Sequence, residues 1–167
     1  MPEYSLDLSE KFIEAAQFVF VNAKDSEDAM DAARVVLYLS CISCEITMKA
    51  LLEKAGKPLK DIKKLSHDLE GLMTALNKEC QVRKDIGNTA RWVQATGFLK
   101  KVAIPNTLLT VGKFLEAESH GASKYPNEIR YGSSVIQYPP EAALNSARHL
   151  LRWARENIGS IRLFQPV

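Results

Sequence analysis

The chain has 167 residues, the length of one compact domain, and an apolar fraction of 46%, which is enough to bury a hydrophobic core. A formal net charge of +2 provides no strong field that would commit the protein to nucleic acid or to an anionic membrane. The first residues lack the basic and apolar regions of a signal peptide, and apolar runs such as 35–39 are too short to span a bilayer, so neither segment is expected.

Apolar residues recur at helical spacing over residues 9–23 and again over residues 27–55, which predicts two helices. The turn between them contains Ser26, a suitable N-cap for the second helix. Gly56 and Pro58 should end this helix, because glycine favours the C-cap conformation and proline lacks a backbone donor. At about 1.5 Å per residue, the second helix would be on the order of 40 Å long.

Three further helices are predicted, over residues 66–80, 88–118 and 140–158. Pro105 should break or kink the second of these because it removes a backbone donor. The stretch 120–134 is rich in turn-forming residues and predicts a long irregular loop. No stretch alternates convincingly with period two. We therefore expect the whole chain to form one all-α domain, an up-and-down bundle of four or five helices.

Cys41 and Cys44 form a C-x-x-C pair, a spacing found in redox sites and in half of many metal sites. Both lie more than three turns inside the predicted second helix, away from the free N–H groups that stabilise a reactive thiolate. A structural zinc site needs four ligands, and only Cys80 and three isolated histidines remain to complete one. We interpret the pair as core packing and expect reduced thiols, no metal and a cytoplasmic protein. No P-loop, Rossmann or H-E-x-x-H motif occurs, so no cofactor is expected.

The stretch SCEITMKALLEKAGKPLKDIKKLSHDLEGLM, residues 43–73, resembles the HEPN superfamily (higher eukaryotes and prokaryotes nucleotide-binding domain). Many members carry a long second helix with a small residue, a glutamate and then Lys-Ala among leucines, followed by a helix that opens on His-Asp/Glu-Leu. The pair Arg130 and Tyr131 is similar to an Arg-Tyr segment that many of these proteins have before the last helix. The matching residues of the main stretch are Glu45, Lys49, Ala50, Leu51, His67, Asp68, Leu69 and Leu72.

The resemblance implies a helical bundle that forms a homodimer. The superfamily includes metal-independent RNases of toxin–antitoxin, abortive-infection and CRISPR systems, and also non-catalytic members that bind nucleotides or partner proteins. The RNases carry an arginine, then four to six residues, then a histidine. None of His67, His120 and His149 has an arginine at that distance upstream. We therefore expect a non-catalytic HEPN-like module, not associated with a membrane, that binds a nucleotide, RNA or a partner protein in a prokaryotic defence or toxin–antitoxin system.

The alternative function is that of a divergent metal-independent endoribonuclease. Either His149 or His67 would then act as the general base. Either Arg130 or Arg148 would stabilise the charge that develops on the phosphate.

The last predicted helix carries a basic stripe, because Arg148, Arg152 and Arg155 stand at positions i, i+4 and i+7. Arg130 and Tyr131 lie in the loop that leads into this helix, where a guanidinium can bind phosphate and a tyrosine ring can stack on a base. We hypothesise that these groups converge on a phosphate-bearing ligand or an acidic partner. The competing interpretations are a solvated helix face for the arginines and a core position for the tyrosine.

Glu45 and Lys49 are further candidates for ligand binding, and they stand at positions i and i+4 of the second helix. The competing interpretation is an ordinary ion pair on the surface. His67 directly precedes Asp68 at a predicted helix start, where an acidic residue favours the helix dipole. A structural role at this helix start is therefore the competing interpretation for His67.

Overall fold

The computed structural model describes residues 1–23, 29–95, 126 and 140–165. In this part the protein is mostly helical and contains one small three-stranded sheet. The helices are α1 (Leu6–Ala23), α2 (Ala29–Ala55), α3 (Leu59–Lys64), α4 (Leu69–Glu79) and α5 (Pro140–Asn157). The strands are β1 (Cys80–Ile86), β2 (Thr89–Gln94) and β3 (Ile161–Leu163), and a 3-10 turn, Ile158–Ser160, precedes β3.

Helix α2 lies at the centre of the hydrophobic core, and α1, α4 and α5 pack against it. Cys41 and Cys44 are fully buried in this core, which confirms the packing interpretation. Among the described residues, which include all three cysteines, no disulfide is formed, and no group of three or more His, Cys, Asp or Glu side chains could hold a metal ion. Burial raises the pKa of Cys80 to about 12, so this thiol is protonated at neutral pH.

A group of buried hydroxyls joins α1 to α2, which run antiparallel. Ser9 Oγ donates to the carbonyl oxygen of Ser43 at 2.9 Å. Ser9 Oγ also lies 2.7 Å from Ser43 Oγ and 2.6 Å from Thr47 Oγ1. All three side chains are fully buried. Small hydroxyl residues therefore let the two helices approach closely, and they satisfy one another's hydrogen bonds in the interface.

Most of the predicted helix boundaries agree with the structure. Helix α1 ends as predicted and begins three residues earlier, at Leu6, where the Ser5 hydroxyl accepts from N–H groups of the first turn. Helix α2 ends as predicted, because Gly56 adopts φ +106° in the left-handed region. Helix α5 ends one residue earlier than predicted. The predicted start of the second helix, 26–28, lies outside the described residues.

Helix α4 begins three residues later than predicted, and its N-cap is Asp68. Asp68 Oδ1 accepts a hydrogen bond of 2.9 Å from the Gly71 N–H, and the extended backbone of Asp68 suits an N-cap. Ser66 cannot begin the helix because it lies in the preceding turn with φ +49°. The basic connector between α2 and this turn forms the short helix α3.

We expect Asp68→Ala to lower the free energy of unfolding by about 1 kcal/mol, because the first turn of α4 loses an acceptor. A Cβ atom on residue 71 would lie 2.5 Å from Asp68 Oδ2, so Gly71→Ala should displace the capping carboxylate. In the Gly71→Ala background, Asp68→Ala should therefore cost almost nothing. Urea unfolding of both single variants and the double variant measures this coupling, and additive costs would contradict it.

The hairpin formed by β1 and β2 shows that the helical prediction for residues 80 and 88–94 was wrong. Ile86 pairs with Thr89 across a two-residue turn, and Gly87 has φ +64° at the first central position of that turn. Glycine adopts this conformation without a steric cost, and a glycine at this position is typical of a type II′ hairpin turn. Strand β3 pairs with the other edge of β1, which gives the antiparallel order β2-β1-β3.

The strands were not predicted because apolar and polar residues alternate in them over only a few positions. Cys80 and Val82 of β1 are buried, but β2 is exposed along most of its length. A strand that is exposed on both faces does not need alternating apolar and polar residues. Trp92, which falls within the predicted helix 88–118, lies on β2 and is 37% exposed. The remainder of that predicted helix from residue 96 on, with the break at Pro105, and the predicted loop lie outside the described residues apart from residue 126.

Helix α2 is long and apolar enough to cross a bilayer, by its 27 residues and its composition. The sequence analysis considered only uninterrupted apolar runs and therefore did not recognise this property. Within the fold, 72% of the most apolar window of α2 is buried, as is common for the core helix of a folded domain. The cytoplasmic location stays a prediction.

Candidate binding site

Helices α1 and α5 run antiparallel, and polar contacts hold them side by side. Arg155 Nη2 donates to Asp7 Oδ1 at 3.0 Å and to Glu10 Oε2 at 2.7 Å. Farther along the two helices, Arg148 Nη2 donates to Gln17 Oε1. A groove of about 880 Å³ follows this pair of helices, and we call it the α1/α5 groove. Its volume is typical of sites that take a small molecule or part of a peptide.

The α1/α5 groove has an apolar floor and an apolar end. Ile13 and Leu151 are almost fully buried, whereas Phe18 and Val21 are 69% and 60% exposed. Two large apolar side chains one turn apart on a helix form a small apolar patch, and such a patch beside a groove marks an interaction site more often than a single exposed residue does. Burial of Phe18 and Val21 by a partner would be favourable by about 25 cal/mol per Å² of apolar surface removed from water.

Charged side chains of both signs line the α1/α5 groove. The acids limit the positive potential of the arginine stripe that the sequence analysis identified on α5. The hydrogen bond to Asp7 and the nearby Glu10 raise the pKa of Arg155, so this arginine is charged and paired with two acids of α1. The groove is therefore mixed in charge rather than strongly basic. Its charged residues are Glu10, Glu14, Arg148, Arg152, Arg155 and Glu156.

Arg152 differs from the two neighbouring arginines of the stripe. Arg148 contacts Gln17 and Asn145, and Arg155 is paired with acids of α1. Arg152 is exposed, and within the described part of the chain it forms neither an ion pair nor a hydrogen bond through its side chain. Its guanidinium is therefore the positive group of the groove that an incoming acid could bind.

His149 directly follows the groove-lining residue Arg148 on α5 and is half-buried. Burial and the nearby charge of Arg152 lower the pKa of its imidazole, so His149 is neutral at pH 7. Among the described residues that line the groove, neither His149 nor His67 is present. The two catalytic candidates therefore do not share the groove with Arg148 and Arg152.

Glu45, Lys49 and His67 form a second group, which we call the Glu45 cluster; Glu45 and Lys49 are buried in it, whereas His67 is exposed. Glu45 Oε1 accepts from Lys49 Nζ at 2.7 Å, and Glu45 Oε2 lies 2.9 Å from His67 Nδ1. Glu45 and Lys49 are only 7% and 6% exposed. The ion pair of the competing interpretation therefore forms, but it lies in the interior rather than on the surface, because this face of α2 packs against the rest of the fold.

The Glu45 cluster joins three separate parts of the chain. His67 belongs to the turn between α3 and α4, whereas Glu45 and Lys49 belong to α2. Lys49 Nζ also lies 5.5 Å from the centre of the Tyr4 ring, within range of a cation–π contact. Glu53, two turns farther along α2, accepts a hydrogen bond of 2.9 Å from the Tyr4 N–H. These contacts favour a structural role for the cluster, in agreement with the competing interpretation of His67.

The structure thus separates the predicted ligand-binding residues into two groups. Arg148 and Arg152 line the α1/α5 groove, and Glu45 and Lys49 belong to the Glu45 cluster. The loop residues 130 and 131 lie outside the described residues, so their convergence with the groove stays a prediction. The sequence analysis missed the α1 side of the groove, because Phe18 and Val21 lie off the apolar face that predicted this helix.

Comparison with protein-family models, with curated proteins and with solved structures gave no significant match. The likeness to the HEPN superfamily therefore rests on the motif residues of the sequence. Three of these residues form the Glu45 cluster, which ties α2 to the start of α4.

Proposed function

We propose that this chain is a non-catalytic, HEPN-like helical module that recognises a partner protein in the α1/α5 groove. The observation that carries the proposal is the pair of exposed apolar side chains, Phe18 and Val21, at one end of a groove lined by charges of both signs. A polyanion such as RNA would meet Glu10 and Glu14 as well as the arginines. A protein segment can present an apolar face and opposite charges together.

The chemistry of the groove specifies the partner. An amphipathic helix could place its apolar stripe against Phe18, Val21 and Leu151, in the way that helices bind in hydrophobic grooves. An acidic residue beside that stripe would pair with Arg152. In the proposed HEPN-like bundle, α1, α2 and α5 are the principal helices, and the resemblance suggests a prokaryotic defence or toxin–antitoxin system as the setting. The partner would then be encoded next to this chain.

We expect Phe18→Asp to abolish co-purification of the chain with the product of its neighbouring gene, because a carboxylate would be buried against the apolar face of the partner. Leu8→Asp is the matched control, since Leu8 is 48% exposed on the same helix and does not line the groove. Leu8→Asp should retain the partner. Equal retention by both variants, each shown to be folded by circular dichroism, would contradict the proposal.

A second copy of this chain is the other protein that could occupy the groove, in line with the homodimer that the resemblance implies. Acids on α1 and arginines on α5 would complement each other across a two-fold axis. Sedimentation velocity distinguishes the two occupants. A dimer that Phe18→Asp dissociates would assign the groove to self-association, whereas a monomer at all concentrations leaves it to a different protein.

A metal-independent endoribonuclease is the second candidate function, and His149 is the observation that favours it. Its imidazole is neutral at pH 7 and lies close enough to Arg152 for the guanidinium to lower its pKa. A neutral imidazole can accept a proton from a 2′-hydroxyl while an arginine binds the phosphate. If the wild type cleaves RNA and His149→Ala does not, the endoribonuclease activity replaces the binding function as the account of this protein.

A further inference from the structure

The three-stranded sheet has an outer face that neither the groove nor the Glu45 cluster uses. Val82 of β1 is fully buried, and its partners in the register are Val93 of β2 and Ile161 of β3. Because successive residues of a strand point to opposite faces, the residues next to these three lie on the other side of the sheet. This outer face carries Gln81, Arg83, Asp85, Ala90, Trp92, Gln94 and Arg162.

Arg162 and Trp92 form a stacked pair across the outer face. The guanidinium carbon of Arg162 lies 3.7 Å from the centre of the Trp92 ring. The two residues belong to the strands on either side of β1, so the arginine side chain crosses β1, and its Nη2 lies 3.5 Å from Gln81 Oε1. A guanidinium plane over an indole restrains the ring in one orientation. Trp92 nevertheless remains 37% exposed.

One buried donor of this pair has no acceptor. Arg162 Nε is shielded from solvent and, in the part of the chain that the structure describes, forms no hydrogen bond. A buried N–H group without an acceptor is rare and costly, so its retention needs a reason. The stack on Trp92 is such a reason, because the indole ring, rather than an acidic residue, orients the Arg162 side chain.

The sheet also concentrates positive charge. Its strands carry four basic side chains and one acid, whereas the whole chain has a net charge of only +2. The acid, Asp85, lies 4.0 Å from Arg83 in a highly exposed pair that contributes little. Of the four basic residues, Arg83 and Arg162 lie on the outer face, whereas Lys84 and Arg91 lie on the face that carries Val82. The outer face thus carries two arginines and one acid, whereas the α1/α5 groove carries arginines and acids in equal number.

We propose that the outer face of the sheet binds single-stranded nucleic acid, with one base stacked on Trp92 and an adjacent phosphate bound by Arg83. A single strand presents the flat face of a base together with a phosphate backbone, and an aromatic ring flanked by guanidinium groups binds both. A duplex keeps its bases stacked inside and offers no such face. This site is separate from the α1/α5 groove and does not depend on the function proposed for it.

Intrinsic fluorescence tests the stacking directly, because the chain has two tryptophans, Trp92 and Trp153. In Trp153→Phe, the remaining Trp92 should be quenched by short oligo(U) and oligo(dT) in a saturable titration. In Trp92→Phe, the remaining Trp153 should not respond. The two oligonucleotides separate an RNA site from a general single-strand site. Quenching of Trp153 alone, or no change with either oligonucleotide at low salt, would overturn the proposal.

Fluorescence anisotropy with labelled oligonucleotides gives the affinities of further variants. Trp92→Ala should weaken binding roughly 5- to 100-fold, the usual cost of one lost base stack. Arg83→Gln should weaken binding and reduce the slope of log K against log salt by about 0.7. Lys64→Gln, which removes an exposed cation on α3 outside both the sheet and the groove, is the control and should change neither quantity.

Fold integrity is checked separately, since Trp92 also packs on Arg162. Trp92→Phe keeps an aromatic ring and should bind with intermediate affinity, between wild type and Trp92→Ala. Circular dichroism establishes that each variant is folded. Unchanged affinity in folded Arg83→Gln and Trp92→Phe, or equal losses in Lys64→Gln, would show that the nucleic-acid strand binds elsewhere and contradict the assignment.

Discussion

Lys49→Met should lower the free energy of unfolding by about 3–5 kcal/mol, the largest effect we expect from a single substitution in the described part of the chain. Lys49 Nζ lies 2.7 Å from Glu45 Oε1, and both side chains are almost fully buried. Methionine has a similar length but no charge, so the variant leaves the Glu45 carboxylate in the interior without its ammonium partner. Urea unfolding followed by circular dichroism measures the loss.

Two controls show whether the loss comes from removing the ammonium partner of the Glu45 carboxylate. The double variant Glu45→Gln/Lys49→Met removes both charges and should recover a large part of the stability. Lys11→Met breaks an exposed pair with Glu14 and should leave the urea midpoint unchanged. A double variant that is as unstable as the sum of its single variants would contradict an ion pair and favour a simple packing effect.

Ser9→Ala should cost about 2 kcal/mol, because it removes the hydroxyl that joins α1 to α2. In this variant the buried hydroxyls of Ser43 and Thr47 lose the Ser9 hydroxyl, which both of them contact. Since α1 forms one wall of the α1/α5 groove, partner binding should weaken together with stability.

Ser146→Ala is the matched control for this substitution. Ser146 is also fully buried, but its hydroxyl donates only to the carbonyl oxygen of Ala142 in its own helix, at 2.8 Å. That carbonyl can also accept the regular backbone hydrogen bond of the helix. Ser146→Ala should therefore cost well under 1 kcal/mol in the same urea assay. Equal costs for the two serines would show that the hydroxyl group between α1 and α2 has no special role.

The helices could be predicted from the sequence because their apolar faces repeat over many turns. Helix α2 is the clearest case, since its buried face continues without interruption to Gly56. The hairpin could not be found in the same way. Strand β2 buries almost nothing, and the apolar residues of β1 are too few to establish a period of two. The glycine-containing turn at Gly87 was the one local signal for strands, and it was overlooked.

The candidate site was predictable only in part, for a related reason. Helical spacing placed Arg148 and Arg152 on one face of α5, and both line the groove. The opposing wall depends on how α1 docks, which is decided by tertiary contacts such as Arg155 with Glu10. Spacing within one helix contains no information about such contacts. The burial of Glu45 likewise follows from packing of α2 against distant segments, so an i,i+4 pair alone could not indicate it.

The most direct test of the account is photo-crosslinking from the α1/α5 groove in cells that contain the natural partners of the chain. The photoreactive amino acid p-benzoylphenylalanine replaces Phe18 in the groove or, as the control, Leu8 on the same helix outside it. We predict one discrete adduct with a different protein from position 18, identified by mass spectrometry, and none from position 8. An adduct of the chain with itself, no adduct from position 18, or the same adduct from both positions would contradict recognition of a partner protein in this groove.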